Sequence, residues 1–479
     1  TEAIFLLGAK MNSMFFLSAF SILGILYLIL GLITSKKIKT VEDYFLAGRG
    51  LGLGALTFTL VATQIGGGML LGTADASYSS GYFGVFYTLG MSIGFIILGF
   101  GVAAKLRKFN VATTAELFEV KYGSKFLRKV ASLLSALSMV GLLTGQIVAS
   151  RALFNALGVG SEMILLLFWL FVVVYTVVGG LKAVVLTDIF QVIFLITIVT
   201  GIFIFCLLKE PGSFFKISSL VGTQNTFSGK GAFLIQLPVL LSSALYPLFG
   251  QDLAQRFFAA KNKKIAVKAA LLASAILIAF SFIPVYFGMK AKLLALTIPA
   301  KTSVFVTVIS SVSGSIIVAL IGCALIAAIT STADSLLCAI SSNITQDFDY
   351  SFLTTKNKLF ISKVVTFLAG IGGLLLAYNS QDILGVLAQS YELLIGSLFV
   401  SVLFCFFTNN LKKKAALFSI IGGAGSFGFL KLVPLGCSSL GCSSQIINIL
   451  LLVIPLTISF VGYGIGFLAD KTPYINSTK

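Results

Sequence analysis

Apolar runs long enough to cross a bilayer, which takes about 20 residues as a helix, follow one another along almost the whole chain with short polar stretches between them. By hydropathy they fall at about 13 places: 14–34, 54–79, 82–104, 130–157, 162–180, 184–208, 233–256, 267–289, 312–343, 361–379, 384–407, 415–434 and 446–468. The pattern predicts an all-α polytopic membrane protein. One run breaks its own pattern. VATQIGGGMLLGTADASYSSG begins as a spanning helix and then sets Gly66, Gly67 and Gly68 in a row. Each glycine disfavours helix by roughly 1 kcal/mol, so a plain spanning segment gains nothing from them.

Composition agrees with the runs. The 479-residue chain is 58% hydrophobic and 10% charged, more apolar surface than a soluble domain can hide. Its net charge of +18 would suggest nucleic acid in a soluble protein, but in a membrane chain basic loops hold the cytoplasmic side, and no nucleic-acid partner is expected. With the N-terminus outside, alternate loops collect most of the 34 Lys and Arg inside, from the Lys36 group through the runs at 105–129 and 256–268. This predicts a plasma (inner) membrane protein with a cytoplasmic C-terminus. The chain has no histidine, which removes the usual zinc ligand and near-neutral proton carrier. Cys206, Cys323, Cys338 and Cys405 lie in apolar runs as packing residues. Cys437 and Cys442, in LGCSSLGCSS, fall outside, where a small loop disulfide is permitted.

The runs divide into two groups of five, over 54–208 and 233–407. Residues 1–53 carry an extra helix and a cytoplasmic loop, 209–232 an extracellular loop, and 408–479 two further helices. An odd number per group makes the second enter from the opposite side, and transporters built this way bind at the midplane, where the first helix of each repeat is broken. GGG lies in the first helix of one group. SALYPLFGQDLAQRF, with Pro247 and Gly250 as breakers, lies in the first helix of the other. The densest intramembrane polar set is AAITSTADSLLCAISSNITQD. Ala328, Ser331, Thr332 and Ser335 share a helical face there. Isolated hydroxyls would read as helix glue or backbone bonding. Asp334 beside them, and Asp188 at the inner start of 184–208, point instead to an ion site. Hard oxygens without imidazole or thiol suit a hard cation such as sodium, and carbonyls freed at the first break, around Ala62 and Ile65, can complete the shell.

With these residues in view, the chain resembles the sodium:solute symporter family, which has the inverted-repeat fold of the leucine transporter. The resemblance rests on EDYFLAGR, VATQIGGGMLLGTADASYSSGY, YTVVGGLKAVVLTDIFQ, AQRFFAAK and AAITSTADSLLCAISSNITQD, in that order over nearly the whole chain. It implies a sodium site made by the carbonyls of Ala62, Ile65 and Ala328 with the hydroxyls of Ser331 and Thr332. Some members resemble a two-sodium design, whose matching positions here are Asp188, Ser331, Asp334 and Ser335. Asp334 departs from the serine pattern of that set.

Candidates for the solute are Gln64, Gly66, Gly67, Gly68, Tyr87, Gln146, Tyr246, Phe249, Gln251, Tyr391 and Glu392. For Tyr87 and Tyr246, membrane packing is an equal alternative. Gln146 is favoured because an unpaired amide in the membrane is costly. Asp252 and Arg256, four apart, read as a pair near the cytoplasmic mouth. The glycine segment looks like the choline-transporter branch, but Gln64 stands where that branch has tryptophan, which favours a hydrogen-bonding solute. The expected function is sodium-coupled import of a small zwitterion or amino acid such as proline, by a monomer in the lipid bilayer. Choline, pantothenate, a sugar or a monocarboxylate are alternative solutes. A proton-coupled carrier, a channel or a membrane sensor are alternatives of another class. No nucleophile–base pair appears, so no enzyme is expected.

Overall fold

The computed structural model describes residues 40–210, 230–348, 355–432 and 444–470, with scattered positions between 16 and 33. Cys437, Cys442, most of the first apolar run and the 211–229 connection lie outside the described residues. Among those described there are helices and turns and no named strand. The first half gives α1 (Leu53–Gln64), α2 (Thr73–Ser80), α3 (Phe86–Ile97), α4 (Lys125–Ala156) and α5 (Glu162–Lys209). The second gives α6 (Lys230–Leu245), α7 (Gln251–Ala259), α8 (Lys263–Leu293), α9 (Ser315–Asp347), α10 (Thr355–Ala377), α11 (Ile383–Leu394) and α12 (Val400–Phe407). Then α13 (Lys413–Leu432) and α14 (Ser444–Ala469) pack on each other.

Nine helical stretches among the described residues are long and apolar enough to cross a membrane, and two shorter apolar helices, Leu53–Gln64 and Glu162–Val177, accompany them. Their outer faces carry exposed Leu133 and Leu137 on α4, Leu166 and Leu170 on α5, and Phe360 and Leu375 on α10. Apolar side chains exposed in this number suit hydrocarbon and not water. α9 is the opposite case, buried along most of its length between α4 and α5. An apolar helix buried all round is a core helix, and this one carries the polar cluster.

Two features differ from the hydropathy pattern. The runs at 162–180 and 184–208 form one helical stretch, α5, interrupted only at Gly180, whose φ of 56° and ψ of −174° a side chain disfavours. Short helices also occupy the connections, at Val41–Leu46, Glu116–Tyr122 and Val304–Val312. The first is fixed by a capping box, in which Asp43 N–H donates to Thr40 Oγ1 at 3.0 Å and Thr40 N–H to Asp43 Oδ2 at 3.2 Å.

Both expected breaks are present. α1 ends at Gln64, Ile65 leaves the helix at φ −80°, ψ 70°, and the Gly66 N–H turns back to the Gln64 carbonyl at 2.9 Å. Helix resumes through a wide π-type turn, Gly68–Gly72, into α2. The elbow is therefore Ile65–Gly66, while Gly67 is already helical at φ −56°, ψ −36°. The break is thus narrower than the run of three glycines. Close approach explains them better: a methyl at Gly66 would overlap the Thr332 hydroxyl, and one at Gly67 the Ala149 side chain. At the second break α6 ends in a tight turn, Tyr246–Leu248, and α7 restarts after Gly250.

Candidate sodium and solute site

The two elbows, α4, α9 and α11 meet around the buried polar groups. Ser331 Oγ lies 3.0 Å from the Ala62 carbonyl oxygen and 2.9 Å from that of Ala328. Thr332 Oγ1 lies 3.0 Å from the Thr63 carbonyl and 3.2 Å from that of Ala328. A hydroxyl has one proton, so each can satisfy one of its two carbonyls at a time. The cluster thus holds more lone pairs than donors, and Ala62, Ile65, Ala328 and Ser331 are essentially sealed from solvent. Oxygens that converge in a dry site without imidazole or thiol are the type of donor a hard cation prefers.

The set of Asp188, Ser331, Asp334 and Ser335 is not brought together in the same way. Asp334 turns toward α5, accepting from the Tyr175 hydroxyl and from Thr176 Oγ1 at 2.6 Å. Asp188 Oδ2 accepts from Thr59 Oγ1 at 2.5 Å and pairs with Arg256 Nη2 at 3.2 Å, both charged side chains being fully buried. Arg256 also donates to Ser335 Oγ at 2.5 Å, to Thr59 Oγ1 at 2.9 Å and to the Asp252 main-chain oxygen at 2.6 Å. The i, i+4 pairing of Asp252 and Arg256 side chains read from sequence is therefore corrected. Arg256 takes the carboxylate of Asp188 on α5, because helix periodicity sees only neighbours within one helix. The remaining Asp188 oxygen, Oδ1, is buried with no protein partner.

Next to the oxygen cluster lies a small, nearly closed cavity of about 20 Å³. Of the solute candidates, Gln64, Gly66, Gly68, Tyr87, Gln146, Tyr246 and Tyr391 line it, together with Thr63, Leu142, Asp252, Thr332, Leu336 and Leu387. Gln146 Oε1 accepts the freed Gly67 N–H at 2.9 Å, so this amide stabilises the elbow as well as facing the cavity. Tyr87 and Tyr391 exchange a hydroxyl bond of 3.1 Å, and the Tyr391 and Tyr246 rings lie 4.4 Å apart. Gly67 is not part of the lining, and three further candidates sit elsewhere. Phe249 packs on Phe399 in an apolar pocket. Gln251 braces the 112–114 loop, accepting from Thr114 N–H at 2.8 Å and donating to the Ala112 carbonyl at 3.2 Å. Glu392 faces a separate, wider pocket with Asp75 and Asp382. Among the lining residues outside the sequence candidates, Asp252 is the one that carries an ionisable group. Its signal was available: a carboxylate two residues past the breaker Gly250, in the first turn of the half-helix that restarts there.

An all-helical membrane chain whose two broken helices enclose a polar cavity has the architecture of an ion-coupled secondary transporter. The profile of the sodium:solute symporter family matches residues 44–423. The chain is 26% identical over 419 residues to a sodium/proline symporter of Staphylococcus aureus, covering 80% of this chain and 79% of that protein. In fold it is similar to a Na+-coupled sialic acid symporter solved in a substrate-bound outward-open state, at 17% identity and a TM-score of 0.77, covering 97% of this chain and 98% of that one. A nucleobase–cation symport transporter gives 15% identity and a TM-score of 0.56, covering 91% and 97%. This chain belongs to the sodium:solute symporter family. It is a multi-pass membrane transporter of the leucine-transporter fold.

Proposed function

We propose that the chain imports a small organic solute together with sodium by alternating access, binding the ion on the carbonyls of Ala62, Ile65 and Ala328 and the hydroxyls of Ser331 and Thr332. The observation that carries this reading is the proton-poor oxygen cluster at the first elbow, joined to the solute cavity through Thr63 and Thr332. The cation neutralises the surplus lone pairs and ties α1 to α9, which prepares the adjoining cavity wall for the solute. One sodium moves per solute, because Arg256 already balances Asp188 and Asp334 is committed to α5. The solute is a zwitterion such as proline, a reading supported by the sodium/proline relatives and by the polar lining of the cavity. The N-terminus lies outside and the C-terminus in the cytoplasm, the chain working as a monomer in the plasma membrane. Residues 54–208 and 233–407 are the two inverted repeats.

Sodium titration of thermal unfolding tests the ion site without needing the solute. Sodium should raise the unfolding temperature of the wild type and potassium should not. Equal effects of the two ions would overturn the assignment.

A further inference from the structure

Asp252 stands out in the cavity wall. It is 2% exposed, it belongs to the first turn of α7, and its carboxylate accepts from the Tyr246 hydroxyl at 2.5 Å. Among the described residues no lysine or arginine nitrogen lies within 4 Å of that carboxylate. Arg256, one helical turn away, spends its guanidinium on Asp188, Thr59, Ser335 and the main chain. The N-terminal end of α7 favours negative charge at this position. The donors to this carboxyl, the Tyr246 hydroxyl and main-chain amides of Asp252 and Leu253, are all neutral, and a buried charge without an opposite charge bonded to it is costly. The space beside it is bounded by the rings of Tyr87, Tyr246 and Tyr391 and by Leu387. Phenol faces and leucines are poor ligands for a bare metal ion but good ones for an organic ammonium, which gains from ring quadrupoles.

We infer that Asp252, with the three tyrosines, selects a solute bearing a cationic nitrogen and binds that nitrogen directly. A second observation agrees. The wider pocket beyond Leu384 and Ala388, about 430 Å³, carries the carboxylates of Asp75, Asp382 and Glu392 and, among the described residues, no lysine or arginine in its lining. A cleft of one sign concentrates solutes of the opposite charge. The inference rests on the symport reading for the identity of the cavity, but it makes a separate claim about chemistry.

The test uses matched pairs on the full chain: L-proline against N-acetyl-L-proline, and choline against its uncharged carbon isostere 3,3-dimethylbutanol, with glucose and pyruvate as solutes lacking the cation. Each is scored by stabilisation against heat, with sodium and with potassium. The expected result is that the member bearing the cationic nitrogen stabilises and its partner lacking that nitrogen's charge does not. Asp252→Asn keeps the acceptor for Tyr246 and should raise the half-saturating concentration roughly tenfold or more. Stabilisation only by glucose, pyruvate or the partners without a cationic nitrogen would overturn the Asp252 assignment while leaving symport standing. Stabilisation by a cation that is indifferent to sodium would support Asp252 and overturn the symport reading. No stabilisation by either cation, or an unchanged affinity in Asp252→Asn, would overturn the inference.

Discussion

At the residue scale the site is organised by counting protons against lone pairs. Ser331 and Thr332 each face two carbonyls with one hydrogen, and the proposed sodium site rests on that imbalance. Ser331→Ala combined with Thr332→Ala should raise the sodium concentration for half-maximal uptake at least about tenfold while membrane insertion is unchanged. Unaltered sodium dependence would remove these hydroxyls from the site. Arg256 and Asp188 form the opposite case, a closed pair of charges. Arg256→Met leaves a buried carboxylate uncompensated and should destabilise by about 3–5 kcal/mol, seen as earlier thermal unfolding in detergent. Adding Asp188→Asn should recover part of that loss, since the orphan charge is then gone; no recovery would mean the pair is not coupled. Ser331, Thr332 and Gln146 were legible in sequence because polar groups in apolar runs need a reason. Asp252 was not, because an acid and an arginine four apart suggest a local pair, and only tertiary packing reveals that Arg256 points to another helix.

At the element scale, the elbow depends on closeness of approach. Gly67 meets Ala149 where a methyl would overlap, and its N–H is held by Gln146. Gly67→Ala should cost about 1–3 kcal/mol of overpacking and sharply reduce uptake. Ala149→Gly in the same chain should restore much of it, read in the same uptake assay. If Gly67→Ala transports normally, the tight contact is not required. The second functional element is the clasp between the segment before α1 and the end of α7. Leu51 N–H donates to the Ala259 carbonyl at 3.1 Å, Lys261 N–H to the Leu51 carbonyl at 2.9 Å, and Arg107 Nε to the Ala260 carbonyl at 2.5 Å. Gln255 adds a bond to the Phe45 carbonyl at 2.7 Å. These contacts join EDYFLAGR to AQRFFAAK, two motifs that sequence showed as separate stretches and whose contact only the fold explains. Both breaks were legible, because glycine and proline in an apolar run carry a local cost. The merged α5 was not, since Gly180 and Lys182 resemble a loop when tertiary support is ignored.

At the scale of the whole molecule, hydropathy and charge were enough for the class of fold, because the bilayer forces every spanning backbone into helix. They could not say which helix lies at the centre. α9 has an apolar composition like its neighbours, yet it is buried while α10 faces outward, a difference set by packing alone. The central position of α9 matters for coupling. It carries the hydroxyls of the oxygen cluster and, through Thr332 and Leu336, part of the cavity wall, so the proposed ion and solute sites share one element. The most direct test of this coupling uses proteoliposomes containing the chain and, in turn, each solute that stabilises it. With an inward sodium gradient the solute should accumulate above its outside concentration, and replacing sodium by potassium should abolish accumulation. Accumulation driven by a proton gradient with no sodium present would contradict the account.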